Sequence, residues 1–441
     1  MSNTKKSIID TIVDPFQRFV KIEIFGSILL FIATAAALLW ANTQWGNYYF
    51  ELWENELSIR IKDFTLSKSF LYWINDGLMA IFFFVIGLEI KREIMVGELS
   101  TLKKGALPII AALGGMVLPA IIYLFMNKNA LTESGWGIPM ATDIAFSLGV
   151  LGLLGKRVPK GMKVFLLAFA IIDNLGAVTV ITVFYSTDIK LNFLIIGLGL
   201  FLVLVLFNQL KVRNYHLYMV TGFIIWYMFS KSGIHPTIAG VIIAFTIPIR
   251  RKIRTSVFKR RMNKNLEEFS GKESKYKIIL NKTQLAAIDN MEDEIESVQS
   301  PLQFIEYNLH GFVAYIIMPV FALANAGVIL YSSGMQDIFN PLSFNIQLSL
   351  ILGKVTGIFL FSWIAIKTGI AALPENTKWI HLIGLGLLGG MGFTMSLFIS
   401  NLAFSDPGLI NYAKIGIITA SLISGILGYL VLRLSLNKQN S

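Results

Sequence analysis

Asp76, Asp143, Asp173 and Lys354 fall inside long apolar runs of the sequence. A charged side chain at mid-bilayer costs about 2.5–3.5 kcal/mol on insertion scales, so such a residue is expected to have a function. Carboxylates can hold and release a proton or a small cation, and an ammonium can neutralise one of them. One lysine cannot neutralise two aspartates, so Asp143 and Asp173 leave a negative charge over for chemistry. Lys354 could instead only lock helices together through an ion pair. Asp143, Asp173 and Lys354 lie near the middle of their runs, whereas Asp76 is nearer an end.

The neighbours of these residues narrow the chemistry. Asp143 closes the stretch Gly135-Trp136-Gly137-Ile138-Pro139-Met140-Ala141-Thr142-Asp143. Pro139 lacks an N–H and disfavours helix at Ile138, which predicts an interruption just before Thr142. Interrupted helices expose unpaired backbone groups, tolerable only beside protein or a watery cavity. The Thr142 hydroxyl and the freed carbonyls are hard oxygen ligands suited to a small cation. Gly389-Gly390-Met391-Gly392-Phe393-Thr394 offers a second interruption, although its glycines could instead serve close helix packing. Asp173 is followed by Asn174. Successive helical residues point about 100° apart, so one can line a cavity while the other turns toward a neighbouring helix, with Lys354 a candidate partner. The spacing leaves open which does which.

Several chemistries are excluded. There is no cysteine, and the four histidines form no HExxH motif, so thiol and zinc-hydrolase sites are absent. No nucleophile–base pair is apparent, which argues against an enzyme, and no cofactor is expected.

The elements that position these residues must lie in a membrane. The 441-residue chain is 55% hydrophobic and only 15% charged, against about 25% charge in soluble domains. A hydrocarbon core about 30 Å thick needs roughly 20 apolar residues per helix. Apolar runs near 23–41, 70–90, 105–126, 135–154, 162–185, 191–210, 215–230, 233–249, 302–331, 345–366, 379–402 and 408–434 predict twelve transmembrane helices. The expected class is therefore an all-α integral membrane protein. The first run reads as an uncleaved anchor, because no cleavable leader pattern precedes it.

The net charge of +11 does not point to nucleic acid, because its location explains it. Alternate loops are rich in Lys and Arg, among them Lys91, Arg92, Lys103, Lys104, Lys156, Arg157 and twelve basic residues from Arg250 to Lys282. The intervening loops hold only scattered ones, such as Arg60, Lys62, Lys128 and Lys231. This bias predicts that both termini are cytoplasmic. The polar stretch 250–300 separates a first membrane part, 1–249, from a second, 301–441, within one structural unit. Its basic beginning could attract anionic lipid. Leu285, Ile288, Ile295 and Val298 recur at helical spacing within it.

These motifs together resemble the NhaA-type sodium/proton antiporter family, nearly end to end. Trp73-Ile74-Asn75-Asp76 with Gly87-Leu88-Glu89-Ile90-Lys91-Arg92-Glu93 resembles the family's second helix. Ala141-Thr142-Asp143-Ile144-Ala145-Phe146 resembles the broken fourth, Ala170-Ile171-Ile172-Asp173-Asn174-Leu175-Gly176 the fifth, and Leu352-Gly353-Lys354 the tenth. Phe321-Ala322-Leu323-Ala324-Asn325-Ala326-Gly327 and Gly392-Phe393-Thr394-Met395-Ser396 also fit.

The resemblance implies twelve helices in inverted-topology repeats, with two discontinuous, crossed helices near Thr142 and Gly390. Broken segments at corresponding places mark such a transporter's site, a generalisation drawn in part from this same family. It implies Na⁺ or Li⁺ exported in exchange for entering H⁺ across a bacterial inner membrane, for pH and sodium homeostasis, by a protein that is commonly a homodimer. Asp143, Asp173, Asn174 and Thr142 would form the cation and proton site, with Lys354 and Asp76 as supporting charges. His235, Glu306, His310, Glu89 and Arg92 match positions that the family links to pH response, although packing and ordinary salt bridging explain them as well.

One departure is plain. The family carries two consecutive aspartates on its fifth helix, and here the second is Asn174. An amide can offer sodium an oxygen but cannot carry a proton. Exchange with fewer protons per cation is the expectation; a non-exchanging sensor or an ion-coupled symporter on the same fold are the alternatives.

Overall fold

The computed structural model of the chain describes residues 15–61, 64–186, 189–270, 279–329 and 335–436. Lys62, Lys272, Lys275 and Lys277 lie outside these residues, as do the last two positions of the run 302–331 and the terminal stretches whose side of the membrane the loop charges predict.

In hydrocarbon, every backbone N–H and C=O must find a partner within the chain, and helices satisfy this locally. The helices of ten or more residues in chain order are α1 (Pro15–Ala41), α2 (Phe70–Val96), α3 (Leu102–Met126), α4 (Ala130–Met140), α5 (Ile144–Leu153), α6 (Lys160–Phe184), α7 (Leu191–Gln209), α8 (Tyr215–Ser232) and α9 (Thr237–Thr246). They continue as α10 (Thr255–Ser270), α11 (Lys282–Val298), α12 (Pro301–Asn325), α13 (Pro341–Lys367), α14 (Trp379–Gly389), α15 (Phe393–Ala403) and α16 (Pro407–Ser435). Among the described residues, eight helices are long and apolar enough to cross a membrane. The count is ten if the pairs α4/α5 and α14/α15, bent by 46° and 45°, are each one span. The chain is therefore a multi-pass membrane protein. The run 233–249 gives only the ten-residue α9, about 15 Å long and half the hydrocarbon thickness.

Among the described residues, the architecture departs from all-α at one place. Strands β1 (Glu56–Ile61) and β2 (Phe64–Ser69) pair antiparallel between α1 and α2, with Glu56 opposite Ser69 and Ile61 opposite Phe64. Leu57, Ile59 and Ile61 alternate with Ser58 and Arg60, the period of a strand, in a stretch too polar to enter lipid.

Packing follows the small residues. Helices α3 and α13 cross where Gly114 and Gly357 meet, and a Cβ on either would fall 2.3 or 2.1 Å from the other's carbonyl oxygen. Without a hydrophobic drive inside lipid, such close backbone approach is what brings helices together. The central core gathers Phe83, Phe321 and Phe398 from α2, α12 and α15, all buried. On α7, by contrast, Ile195, Leu202 and Leu206 face outward, where hydrocarbon receives them.

Three spans contain a π-helical turn: Trp73–Leu78 in α2, Val313–Ile317 in α12 and Ser349–Gly353 in α13. Asp76 lies within the first and Lys354 directly follows the third. In the 250–300 stretch, α10 and α11 pack side by side, tied by Arg261–Glu294 at 3.0 Å. Gln284 and Ala287 are buried there, whereas Leu285 and Ile295 remain exposed. The apolar spacing read from the sequence marks this helix, but only part of that face is covered.

Candidate functional site

The site is built from two helix breaks laid against each other. Residues 141–143 separate α4 from α5, and 390–392 separate α14 from α15. Pro139 does not itself end α4. It sits inside a tight 3₁₀ segment, Ser134–Met140, and the chain leaves helical geometry two residues later. Each break strands carbonyls and N–H groups that a continuous helix would pair, and the other break supplies many of the partners. The Asp143 N–H donates to the Met391 carbonyl at 2.7 Å. The hydroxyls of Thr142 and Ser147 donate to Gly389 and Leu388, both at 2.7 Å, and that of Ser396 donates to Ile138 at 2.7 Å. Gly392 permits this approach: a Cβ there would stand 2.8 Å from the Ala141 carbonyl oxygen.

Asp143 binds the two breaks electrostatically. It is 1% exposed. One oxygen accepts from the Phe146 N–H at 3.1 Å, capping α5. The other accepts from the Thr394 N–H at 3.0 Å and the Thr394 hydroxyl at 2.6 Å, at the start of α15. Two half-helix N-termini, each carrying partial positive charge, thus share one carboxylate. Thr394 was not identified as a site residue in the sequence, and its threonine beside three glycines was the only available sign.

Asp173 and Asn174 divide as the helical geometry requires. Asp173 faces Lys354, whose ammonium reaches its two oxygens at 2.9 and 2.8 Å, with both side chains wholly buried. Lys354 also donates to the Met140 carbonyl, at the C-terminal end of α4, and lies 5.7 Å from the Phe169 ring centre. A cation therefore caps the negative end of one half-helix while Asp143 caps the positive ends of two others.

Asn174 faces the other way. With Asp143 and Thr394 it lines a small cavity of about 40 Å³, which continues to Glu23, Glu89 and His310. That is room for a cation with one or two waters. Asn174 is 1% exposed, and its Oδ1 has no hydrogen-bond partner among the described residues. Such an unsatisfied buried acceptor is costly, which makes it a ready ligand for a cation.

The remaining candidates form two other groups. At the far end of the cavity, His310 Nε2 is 3.2 Å from Glu23 and its Nδ1 3.6 Å from Glu89. One helical turn farther on both helices, Arg92 pairs with Glu306 at 2.7 Å and with Glu93 at 3.0 Å. Glu23 escaped notice in the sequence because it begins the first apolar run, where a carboxylate reads as interfacial. The second group stands apart from the cavity: Asp76 meets His235 Nε2 at 3.3 Å, and His235 Nδ1 lies 2.7 Å from the Thr237 hydroxyl. Neither residue touches Asp143, Asp173 or Lys354.

The arrangement can hold one monovalent cation in a small, largely apolar cavity that presents a few carboxylate and amide oxygens, beside a buried acid–base pair. Comparison with known proteins agrees with such a task. Residues 17–432 match the family model described as Na⁺/H⁺ antiporter 1. The chain is similar to the Na(+)/H(+) antiporter NhaA of Oleidesulfovibrio alaskensis, 46% identical over 97% of this chain and 95% of the relative. It resembles NhaA 1 of Saccharophagus degradans at 46% identity, over 95% of this chain and 91% of that one. The NhaA of Phocaeicola vulgatus is 45% identical, over 96% of each.

Proposed function

This chain belongs to the Na⁺/H⁺ antiporter 1 family, and from that we infer that it is a secondary transporter exchanging Na⁺ for H⁺. The relatives named above are antiporters by name along nearly the whole chain, and they lend nothing to the sensor or symporter alternatives. The family is one of transporters, not of enzymes.

The finer reading is ours. The cation binds in the small cavity, between the Asp143 carboxylate and the amide oxygen of Asn174. The exchanged proton belongs to the Asp173–Lys354 pair, which joins α6 to α13 on the side of α6 that faces away from the cavity. Thr142 holds the end of α14 through Gly389 and keeps the two breaks in register. The observation that carries this is the unpartnered Asn174 Oδ1 in a cavity that Asp143 also lines.

With Asp143 and Asp173 ionised and Lys354 protonated, the site sums to −1, and one Na⁺ neutralises it. A second carboxylate at position 174 would make the sum −2. Exchange is thus one Na⁺ for one H⁺ and moves no net charge. Na⁺ and H⁺ compete for the site, and an occupied site permits the switch between outward and inward access.

Twelve spans follow if α8 and α9 are counted with the ten above, and the paired breaks support inverted repeats crossing at Asp143. The basic loops support cytoplasmic termini in a bacterial inner membrane, with sodium exported and Li⁺ as an alternative cargo. The dimeric state follows only from resemblance to the family. The cluster of His310, Glu89, Glu306 and Arg92 suits a control of access, and Asp76 with His235 a supporting pair outside the site. The 250–300 stretch is a cytoplasmic insertion within one unit.

The test uses everted membrane vesicles from a host without its own antiporters. Added Na⁺ or Li⁺ should collapse a preformed proton gradient with the native chain and fail to do so with Asp173→Asn. A silent native chain with an active Asn174→Asp variant would show that this copy had lost exchange.

A further inference from the structure

Glu23 is the one buried carboxylate along the cavity that the account above leaves without a task. It lies on α1, on the first turn of the apolar run, and is only 6% exposed. One of its oxygens meets His310 at 3.2 Å. The other, Oε2, has no hydrogen-bond partner among the described residues, although it is buried. An anionic oxygen left bare in a low-dielectric setting is expensive unless a cation visits it. Glu23 lines the same cavity as Asn174 and Asp143. Among the described residues, two oxygens of residues lining the cavity lack a hydrogen-bond partner, Asn174 Oδ1 and Glu23 Oε2. Glu89 flanks the second, and His310 bridges the two glutamates.

We propose that Glu23 is a cation ligand of the cytoplasmic passage, the stop at which Na⁺ exchanges between bulk water and the Asp143–Asn174 site. The inference rests on the exchange reading above and adds a residue to it. A carboxylate along the route draws a cation toward the Asp143–Asn174 site without adding a proton carrier beside Lys354. Ser27, one turn farther along α1, donates to the Ala145 carbonyl at 2.6 Å, which fixes α1 against the start of α5 and so fixes Glu23 relative to Asp143.

The test is sodium-driven proton movement in everted vesicles at one fixed pH, with Glu23→Gln, Glu23→Asp, His310→Gln and the double variant Glu23→Gln/His310→Gln. Removing one unit charge within several ångströms of a monovalent cation should raise the KM for Na⁺ about tenfold, with maximal rate changed less than twofold. Glu23→Asp should restore most of the affinity. The same tenfold step should separate the double variant from His310→Gln, because the charge acts on sodium and not through the histidine. In the native protein, Na⁺ but not choline should slow carbodiimide modification of Glu23, read by peptide mass; this arm stands even if Glu23→Gln does not fold. A KM within twofold of native in Glu23→Gln, or no sodium protection, overturns the inference. A native chain that moves no protons in response to Na⁺ overturns the exchange reading instead.

Discussion

Asp173 and Asn174 are neighbours on one helix and lie in opposite worlds. On one side of α6, a carboxylate and an ammonium pair without any solvent exposure. On the other, an amide oxygen without a partner faces a cavity that reaches three carboxylates. The dry side is closed, neutral as a pair, and suited to holding a proton. The cavity side is negative, incompletely satisfied, and suited to holding a cation. One turn angle of about 100° separates the two chemistries, so the identity of each residue decides how charge is shared between the proton and the cation.

Breaking the dry side should have the largest effect. Lys354→Met leaves Asp173 buried and unpaired, at a cost of about 3–5 kcal/mol. Exchange should fall by about 100-fold or more, and melting in detergent should drop sharply. Lys354→Met combined with Asp173→Asn should melt higher than Lys354→Met alone while remaining inactive. Equal melting of the two would show that no charge had been left stranded.

Loosening the junction between the breaks should come next. Thr394→Val deletes the hydroxyl that donates to Asp143 and should lower stability by about 1.5–3 kcal/mol, as for other hydrogen bonds to a charged group. Saturating Na⁺ should recover part of the loss, since a bound cation can occupy the bared oxygen. Gly392→Ala forces a Cβ against the Ala141 carbonyl, which is backbone of the opposite break and cannot swing away; about 1–3 kcal/mol of stability should be lost. Thermal unfolding with and without sodium measures both. The smallest effect belongs to Asp76→Asn. This residue contacts His235 and no part of the cavity or the pair, so sodium affinity should stay within about twofold of native. A tenfold change would place Asp76 in the ion path and blur the division between the two sides.

Much of this was legible in the sequence, because lipid forbids what water allows. Charges inside apolar runs gave Asp143, Asp173 and Lys354, and Gly and Pro signals gave both breaks. The pairing partner of Lys354 was not legible, since it depends on how α6 is rotated against α13, and composition carries no rotation. Thr394 joined the site only because two breaks more than 240 residues apart in sequence lie together. Glu23 was missed because a carboxylate at the edge of a run is ordinary. The π-helical turns that place Asp76 and Lys354 use the same residue types as α-helix and leave no local mark. The β1–β2 hairpin leaves only a faint mark, because the alternation of Leu57, Ile59 and Ile61 with Ser58 and Arg60 is brief beside the long apolar runs.

We propose that one proton is exchanged for each sodium ion because position 174 carries an amide. Proton flux driven by Na⁺ in proteoliposomes, measured against an imposed membrane voltage, tests it directly. Flux through the native chain should be indifferent to voltage, and flux through Asn174→Asp should rise when the voltage favours inward positive charge. A native flux that clearly follows the voltage would contradict the account.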